Sequence, residues 1–258
     1  MKVLIITFLL SFSFFSFSQS AEELNSQSKE FLDKGDVKSA LPLIKKAAEL
    51  GQPEAQFNYA LFFQQGIEVE KNDSIANLWL LKSAEQGSVN AQFKIAYSYA
   101  VGRGTSKDMK KAFYWSVQCA NQNDPECIGN VASCYQQGMG VEKSIDSALA
   151  WTVRAAILPD LENLKMSGMI TNARITMAKY YLKGINVKQS DSIAYMWLLI
   201  YNESKRDHSI LVQLENIEEI KELENKLTPE EQKQEIINAE KLIGRKLKNL
   251  DNLYLKEL

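Results

Sequence analysis

The side chains able to do covalent or metal chemistry in this 258-residue chain are few and scattered. The one histidine, His208, stands in a charged segment and reads as solvated, so a histidine-based metal site or a Ser–His or Cys–His nucleophile would rest on it alone. Cys119, Cys127 and Cys134 lack the paired spacing of a zinc site. No metal and no cofactor is expected. Ser26-x-x-Lys29 sets a serine one helical turn from a lysine, but Ser-Asp-Asn and Lys-Thr-Gly partners are missing and a chain rich in both residues makes such a pair by chance. The stretch "GRGTSK" (102–107) lacks the Gly-Lys-Ser/Thr order of a phosphate loop, and the paired acids Glu218 and Glu219 read as a solvated face. None of these residues forms a catalytic or metal-binding set by its spacing.

The elements that would carry a binding surface begin after the first twenty residues. "MKVLIITFLLSFSFFSFSQSAEEL" opens with a lysine, continues as an uncharged apolar run interspersed with serine, and ends in small residues. That is the layout of a secretory signal peptide over 1–20, with cleavage after Ser18 or Ser20. The run is too short for a membrane span and no later segment reaches that length, so the mature chain is expected to be free of the membrane and exported, periplasmic or secreted. The net charge of −2 argues against nucleic acid as a partner.

From Ala55 the chain repeats itself. "AQFNYALFFQQGIEVEKNDSIANLWLLKSAEQG" aligns with "AQFKIAYSYAVGRGTSKDMKKAFYWSVQCANQN" from Ala91, 36 residues on; a third copy opens at Cys127 and a fourth at Ala173, the latter delayed by ten residues around "LPDLENLKMSG". Gly66, Gly102, Gly138 and Gly184 stand where a left-handed residue ends a helix A, and Asn72, Asp108, Ser144 and Ser190 are suited to open a helix B. Gly51, Gly87 and Asn123 supply a second stop. In the first two copies, Ala55, Tyr59, Ala60 and Phe63 recur as Ala91, Ile95, Ala96 and Tyr99 on one face of helix A. Ala76, Trp79, Ser83 and Ala84 recur as Ala112, Trp115, Cys119 and Ala120 on helix B. All four tryptophans, Trp79, Trp115, Trp151 and Trp197, hold one repeat position and are expected to be core. A two-helix unit cannot bury such faces alone, so neighbours must stack.

The pattern A-x-x-x-Φ-A-x-x-[YF]-x-x-G, a cap, then A-x-x-W-x-x-x-A-A/S resembles the Sel1-like repeat, a relative of the tetratricopeptide repeat. The resemblance implies an all-α, right-handed α-solenoid of two-helix units over 21–202: a partial unit at 21–51, then units from 55, 91, 127 and 173. Glu68 and Asn186 replace a loop glycine of the family, and Tyr201 and Asn202 replace its small pair. The last unit is therefore expected to leave the regular register. Beyond 202, Ile210, Leu214, Ile217, Leu223 and Leu227 predict one amphipathic helix, and Thr228-Pro229-Glu230-Glu231 a capping box opening another to about 250. These two, within 203–258, are read as a hairpin capping the solenoid rather than a dimerising coiled coil, and a monomer is expected.

Cys119 near the end of one helix B and Cys127 at the start of the next helix A can be folded face to face, whereas Cys127 and Cys134 are separated by about 10 Å of helical rise. A Cys119–Cys127 disulfide, similar in spacing to that of cysteine-rich Sel1-like proteins, is expected, with Cys134 a buried thiol. As the resemblance implies, the function is that of a non-enzymatic scaffold holding a protein or peptide on the concave side of the helices A. By analogy with the tetratricopeptide stripe, the candidate contacts are Phe57, Gln64, Gln65, Phe93, Tyr97, Gln136, Gln137, Lys179 and Lys183, the two lysines favouring an acidic end of the ligand. Two alternatives stand beside this reading, the first of them taken from the family. One is β-lactam binding or weak β-lactam hydrolysis at Ser26; the other is a secreted or immunity-type protein that binds a foreign one.

Overall fold

The structure, a computed structural model, describes residues 19–161, 163–204 and 210–250. The apolar leader over 1–18 and His208 lie outside them. Among the described residues the only regular elements are helices, and they come in pairs: α1 (Ala21–Asp33) with α2 (Val37–Glu49), α3 (Pro53–Gln65) with α4 (Asp73–Glu85), α5 (Val89–Val101) with α6 (Met109–Asn121), α7 (Pro125–Gln137) with α8 (Ile145–Ala156), and α9 (Leu164–Lys183) with α10 (Asp191–Asn202). Each pair packs on the next, forming an α-solenoid; α11 (Ile210–Lys226) and α12 (Pro229–Ile243) lie against α10.

The punctuation of the repeat acts locally. Asn72, Asp108, Ser144 and Ser190 hold extended backbone and accept a hydrogen bond from the N–H three residues on, so each helix B starts there. Gly66, Gly102, Gly138 and Gly184 are left-handed and end each helix A. The loop that follows lies across the start of helix B in the preceding unit: Ser74 Oγ donates to the Gly104 carbonyl at 3.1 Å and Asn77 Nδ2 to the Arg103 carbonyl at 2.6 Å. A Cβ at Gly104 or Gly140 would run into the backbone of Asp73 or Met109. Glycine is required there for contact as well as for its positive φ.

At the same repeat position Glu68 (φ 54°) and Asn186 (φ 61°) keep the left-handed backbone, so the departures from the repeat change side chains and leave the chain path intact. The expected loss of register in the last unit is therefore corrected: α9 and α10 pair like the others, and Trp197 is buried. Trp115 is buried too, while Trp79 and Trp151 are half-buried. Lys82 stands 4.0 Å over the Trp79 ring and Arg154 4.9 Å over that of Trp151, so the wet side of each ring is covered by a cation.

A second correction concerns the end of the chain. The helix opened by the Thr228 capping box stops at Ile243, not near 250, because Gly244 turns left-handed. The following segment folds back onto the end of α10. Glu203 accepts from the Arg245 guanidinium at 2.6 Å and from the Lys248 and Asn249 amides at 2.9 and 2.8 Å. Asn202 and Asn249 exchange side-chain-to-backbone bonds. Tyr201 and Asn202, where the repeat has a small pair, are both buried, Asn202 with its bonds to Asn249.

Successive units are joined at one recurrent point, the residue after each copy's start. Gln56 Nε2 donates to the buried Ala48 carbonyl at 3.2 Å and Gln92 Nε2 to that of Ala84 at 3.0 Å; Gln86 and Gln122 in turn donate to the two side-chain carbonyls. In the fourth copy this position is Arg174, 2% exposed. Its Nε donates to the Ala156 carbonyl at 2.9 Å, Nη2 to Leu158 at 2.8 Å, and Nη1 to Asp160 at 2.8 Å and to Ser204 at 2.7 Å. Burial depresses the guanidinium pKa, an effect opposed chiefly by Asp160. The ten-residue insertion has more polar groups to satisfy than glutamine can reach, and the forked arginine satisfies them.

Arg174→Met, which keeps the apolar stem but takes the buried guanidinium away from Asp160 and from two carbonyls, is expected to lower the unfolding free energy by about 3–5 kcal/mol. Gln92→Met removes one of the two donors to the Ala84 carbonyl, the Gly87 amide at 3.0 Å being the other, and should lower it by only about 0.5–1.5 kcal/mol in the same urea titration.

Candidate functional site

The helices A carry the candidate surface. Phe93 and Tyr97 on α5 share a cavity of about 350 Å³ with Ala100, Met139, Asn130 and Ser133, between α5 and α7. Asn130 and Ser133 belong equally to the next cavity, about 440 Å³ between α7 and α9, with Gln136, Asn172, Thr176 and Tyr180. The two make one groove crossing α7. Toward the N-terminus Phe57 edges a further hollow with Asn58, Ser88 and Asn90, and Gln65 a shallow recess with Leu32, Val37 and Leu61.

The predicted contacts fall into four groups. Tyr97 (50% exposed), Gln65 and Gln136 face the open hollows, with the Arg103 guanidinium 5.7 Å from the Tyr97 ring centre. Phe57 and Phe93 are half-buried, each packed against a core cluster that includes residues of the following unit. Both are committed to joining units before any partner arrives. Gln64 is half-buried and Gln137 is exposed and bonded to Ser133; neither lines these cavities. Lys179 and Lys183 are exposed, yet an acidic group of the same chain is within their electrostatic reach: Glu219 on α11.

Glu219 is accordingly not the solvated acid that its sequence suggests. Glu218 is exposed, but Glu219 is half-buried and its Oε2 is enclosed without a hydrogen-bond partner. Burial raises its pKa above the ordinary 4.5, Lys179 and Lys183 act to lower it, and Glu215 and Glu222 on the same helix act to raise it. Asn130, Asn172 and Thr176 escaped the sequence reading. The available signal was position three of each copy, where Asn58, Lys94, Asn130 and Thr176 vary while the residue two further on is alanine in every copy.

The structure joins Cys119 to Cys127, with Cα atoms 5.7 Å apart, and leaves Cys134 a buried free thiol whose pKa burial pushes up. Asp124 lies beside both bridged sulfurs, but its carboxylate accepts from the Cys127 amide at 2.9 Å as the cap of α7. Its contact with the pair follows from capping. Closing so short a loop contributes about 2.5 kcal/mol of stability in the chain-entropy account. At the other end, Ser26 and Lys29 are both exposed on α1, and the Lys29 ammonium is held by Glu54 at 2.7 Å, which occupies the group that would serve Ser26 as base.

Stacked two-helix units with an open face along their first helices define a repeat scaffold of the α-solenoid class. The chain belongs to the Sel1 repeat family, which it matches over residues 53–88, 89–124, 125–160 and 173–200, and Sel1-repeat proteins generally mediate protein–protein interaction. Its fold is similar to that of a Sel1 repeat protein from Oxalobacter formigenes, at TM-score 0.59 and 24% identity over 86% of this chain and 88% of that one. A protective antigen of uropathogenic Escherichia coli strains with an SLR fold aligns at TM-score 0.42 and 20% identity, over 92% of this chain and 57% of that one. A search of the curated proteins finds no match.

The buried carboxyl gives a pH test. A group whose pKa is raised on folding favours the fold while protonated, and loses that contribution as pH climbs from about 4.5 through the folded value. Glu219→Gln cannot ionise, so its melting temperature relative to the parent protein is expected to be higher at pH 7 than at pH 4. A difference independent of pH would detach Glu219 from this account.

Proposed function

We propose that this protein is an exported scaffold that holds a protein or peptide segment along the groove of α3, α5, α7 and α9. The observation that carries the reading is the pair of open cavities sharing Asn130 and Ser133, which makes a polar-rimmed trough with Tyr97 on one wall and Tyr180 on the other. Surfaces of this kind suit an extended chain: amides at the rim can meet backbone groups, and pockets can take side chains. Export is supported by the apolar leader and by a disulfide that an oxidising compartment would keep.

Two outcomes follow. A photo-crosslinking side chain at 97, in the protein expressed in its source organism, is expected to capture a partner, and one at Tyr114, 54% exposed on α6, to capture none. Equal capture from both would dismiss the groove. Cleavage is expected after Ser18, because Ser20 caps α1 in a reciprocal box with Glu23 that cleavage after Ser20 would destroy, at a cost of about 1 kcal/mol. N-terminal sequencing of the exported protein should then begin at Gln19.

A further inference from the structure

The second residue after each copy's start is Phe57, Phe93 and Ile175 in the first, second and fourth copies, and Gly129 in the third. Each of the three large side chains is half-buried against a core cluster that reaches the following unit. Gly129 has nothing to put there. It lies in the interior of α7, where glycine costs about 1 kcal/mol relative to alanine, and a Cβ built on it would have no neighbour within 4 Å. No steric demand accounts for the residue. Gly129 lines the cavity of about 440 Å³ between α7, α8 and α9, a volume within the range of ligand pockets, and a side chain at this position would take up part of it.

We propose that this cavity is the anchor pocket for an aromatic side chain of the bound segment, a deepening of the groove reading that rests on it. The chemistry is set by the repeat: phenylalanine is what the chain itself places at this position in two of the other copies. The walls agree. Ala132, Ala155, Ala173 and Met169 supply an uncharged lining of small or adaptable side chains, and the one acid at the mouth, Glu126, is paired with Lys165 at 3.3 Å. Asn130, Gln136 and Asn172 stand at the rim, with side-chain amides that make no hydrogen bond among the described residues and so are free to meet the backbone on either side of the anchor. A helix-breaking residue kept in a helix interior without local need marks a position held for something other than stability.

The probes are N-acetyl-phenylalaninamide and N-acetyl-tryptophanamide, titrated into the mature protein with the methyl signals of Met169, Ala155 and Ala173 followed by NMR. Saturable shifts in the millimolar range are expected for both probes and not for N-acetyl-alaninamide. In Gly129→Phe, which restores the repeat's own side chain, the shifts should fall at least tenfold while the melting temperature holds or rises. Ala132→Leu, which narrows the same cavity from another side, gives the same reading if Gly129→Phe does not fold. No shift in the parent protein, or shifts unchanged in the filled variant, would overturn the pocket. Capture from position 97 together with silent methyls would retire the pocket and keep the groove; saturating methyls without capture would do the reverse.

Discussion

The end of each helix B presents carbonyls to the interior where the next helix A packs, and the whole solenoid depends on how those carbonyls find donors. The Ala48 and Ala84 carbonyls already accept from the Gly51 and Gly87 amides at 3.0 Å, so what recurs from unit to unit is the second acceptor position of such a carbonyl, worth about 0.5–1.5 kcal/mol when filled. Glutamine meets it twice: Gln56 and Gln92 each cap an alanine carbonyl and are themselves held by Gln86 and Gln122. The bond also fixes the distance between units, since the same side chain spans from one helix A to the last turn of the preceding helix B. Arg174 is the same solution stretched over a longer connection, reaching Ala156, Leu158 and Asp160 at once.

The third copy departs from this arrangement at three successive residues, Cys127, Ile128 and Gly129, where the first two copies have alanine, glutamine and phenylalanine. Ile128, fully buried, packs in one cluster with Leu158 and the bridged cysteines. An apolar contact and a covalent bond therefore replace the amide pair. The magnitudes are comparable: burying a large side chain contributes about 1.5–3 kcal/mol, and an eight-residue disulfide loop about 2.5 kcal/mol. A copy that gives up the packing of a phenylalanine can stay docked because the bridge beside it holds the start of α7, and the space so released opens onto the groove.

Much of this was legible because the repeat tests itself. A glycine, a cap and a tryptophan recurring together fix helix boundaries in the solenoid far more firmly than any one copy could, and the eight-residue cysteine spacing acquires meaning only once its ends are assigned to two helices. What was not legible depends on neighbours distant in sequence. Arg174 reads as an ordinary charge on an amphipathic helix until the insertion before it is folded underneath. Glu219 reads as a surface acid until α11 brings it toward Lys179 and Lys183. Phe57 and Phe93 fall on the outward stripe of helix A, but a solenoid has two neighbours per helix, and an outward stripe on one is partly an interface with the next. The end of α12, by contrast, is set locally by Gly244, in the left-handed conformation that also ends the helices A of the four copies.

The C-terminal helices also change what the groove can recognise. On the first three copies the helix-A face is rimmed mainly by amides, hydroxyls and aromatic rings, with Lys107 lining the hollow beside Tyr97 and Glu126 already paired; Lys179 and Lys183 add two cations on the fourth. They meet an acid of their own chain, on a helix that also carries Glu215, Glu218 and Glu222. A ligand carboxylate arriving there would compete with a partner that is already present at high effective concentration, and would have to leave Glu219 with less compensation for its burial. Selectivity for charge is thus weakened where the sequence sets two lysines on one helix A. Discrimination then falls to the shape of the hollows between the helices A and to the neutral hydrogen-bonding groups that rim them.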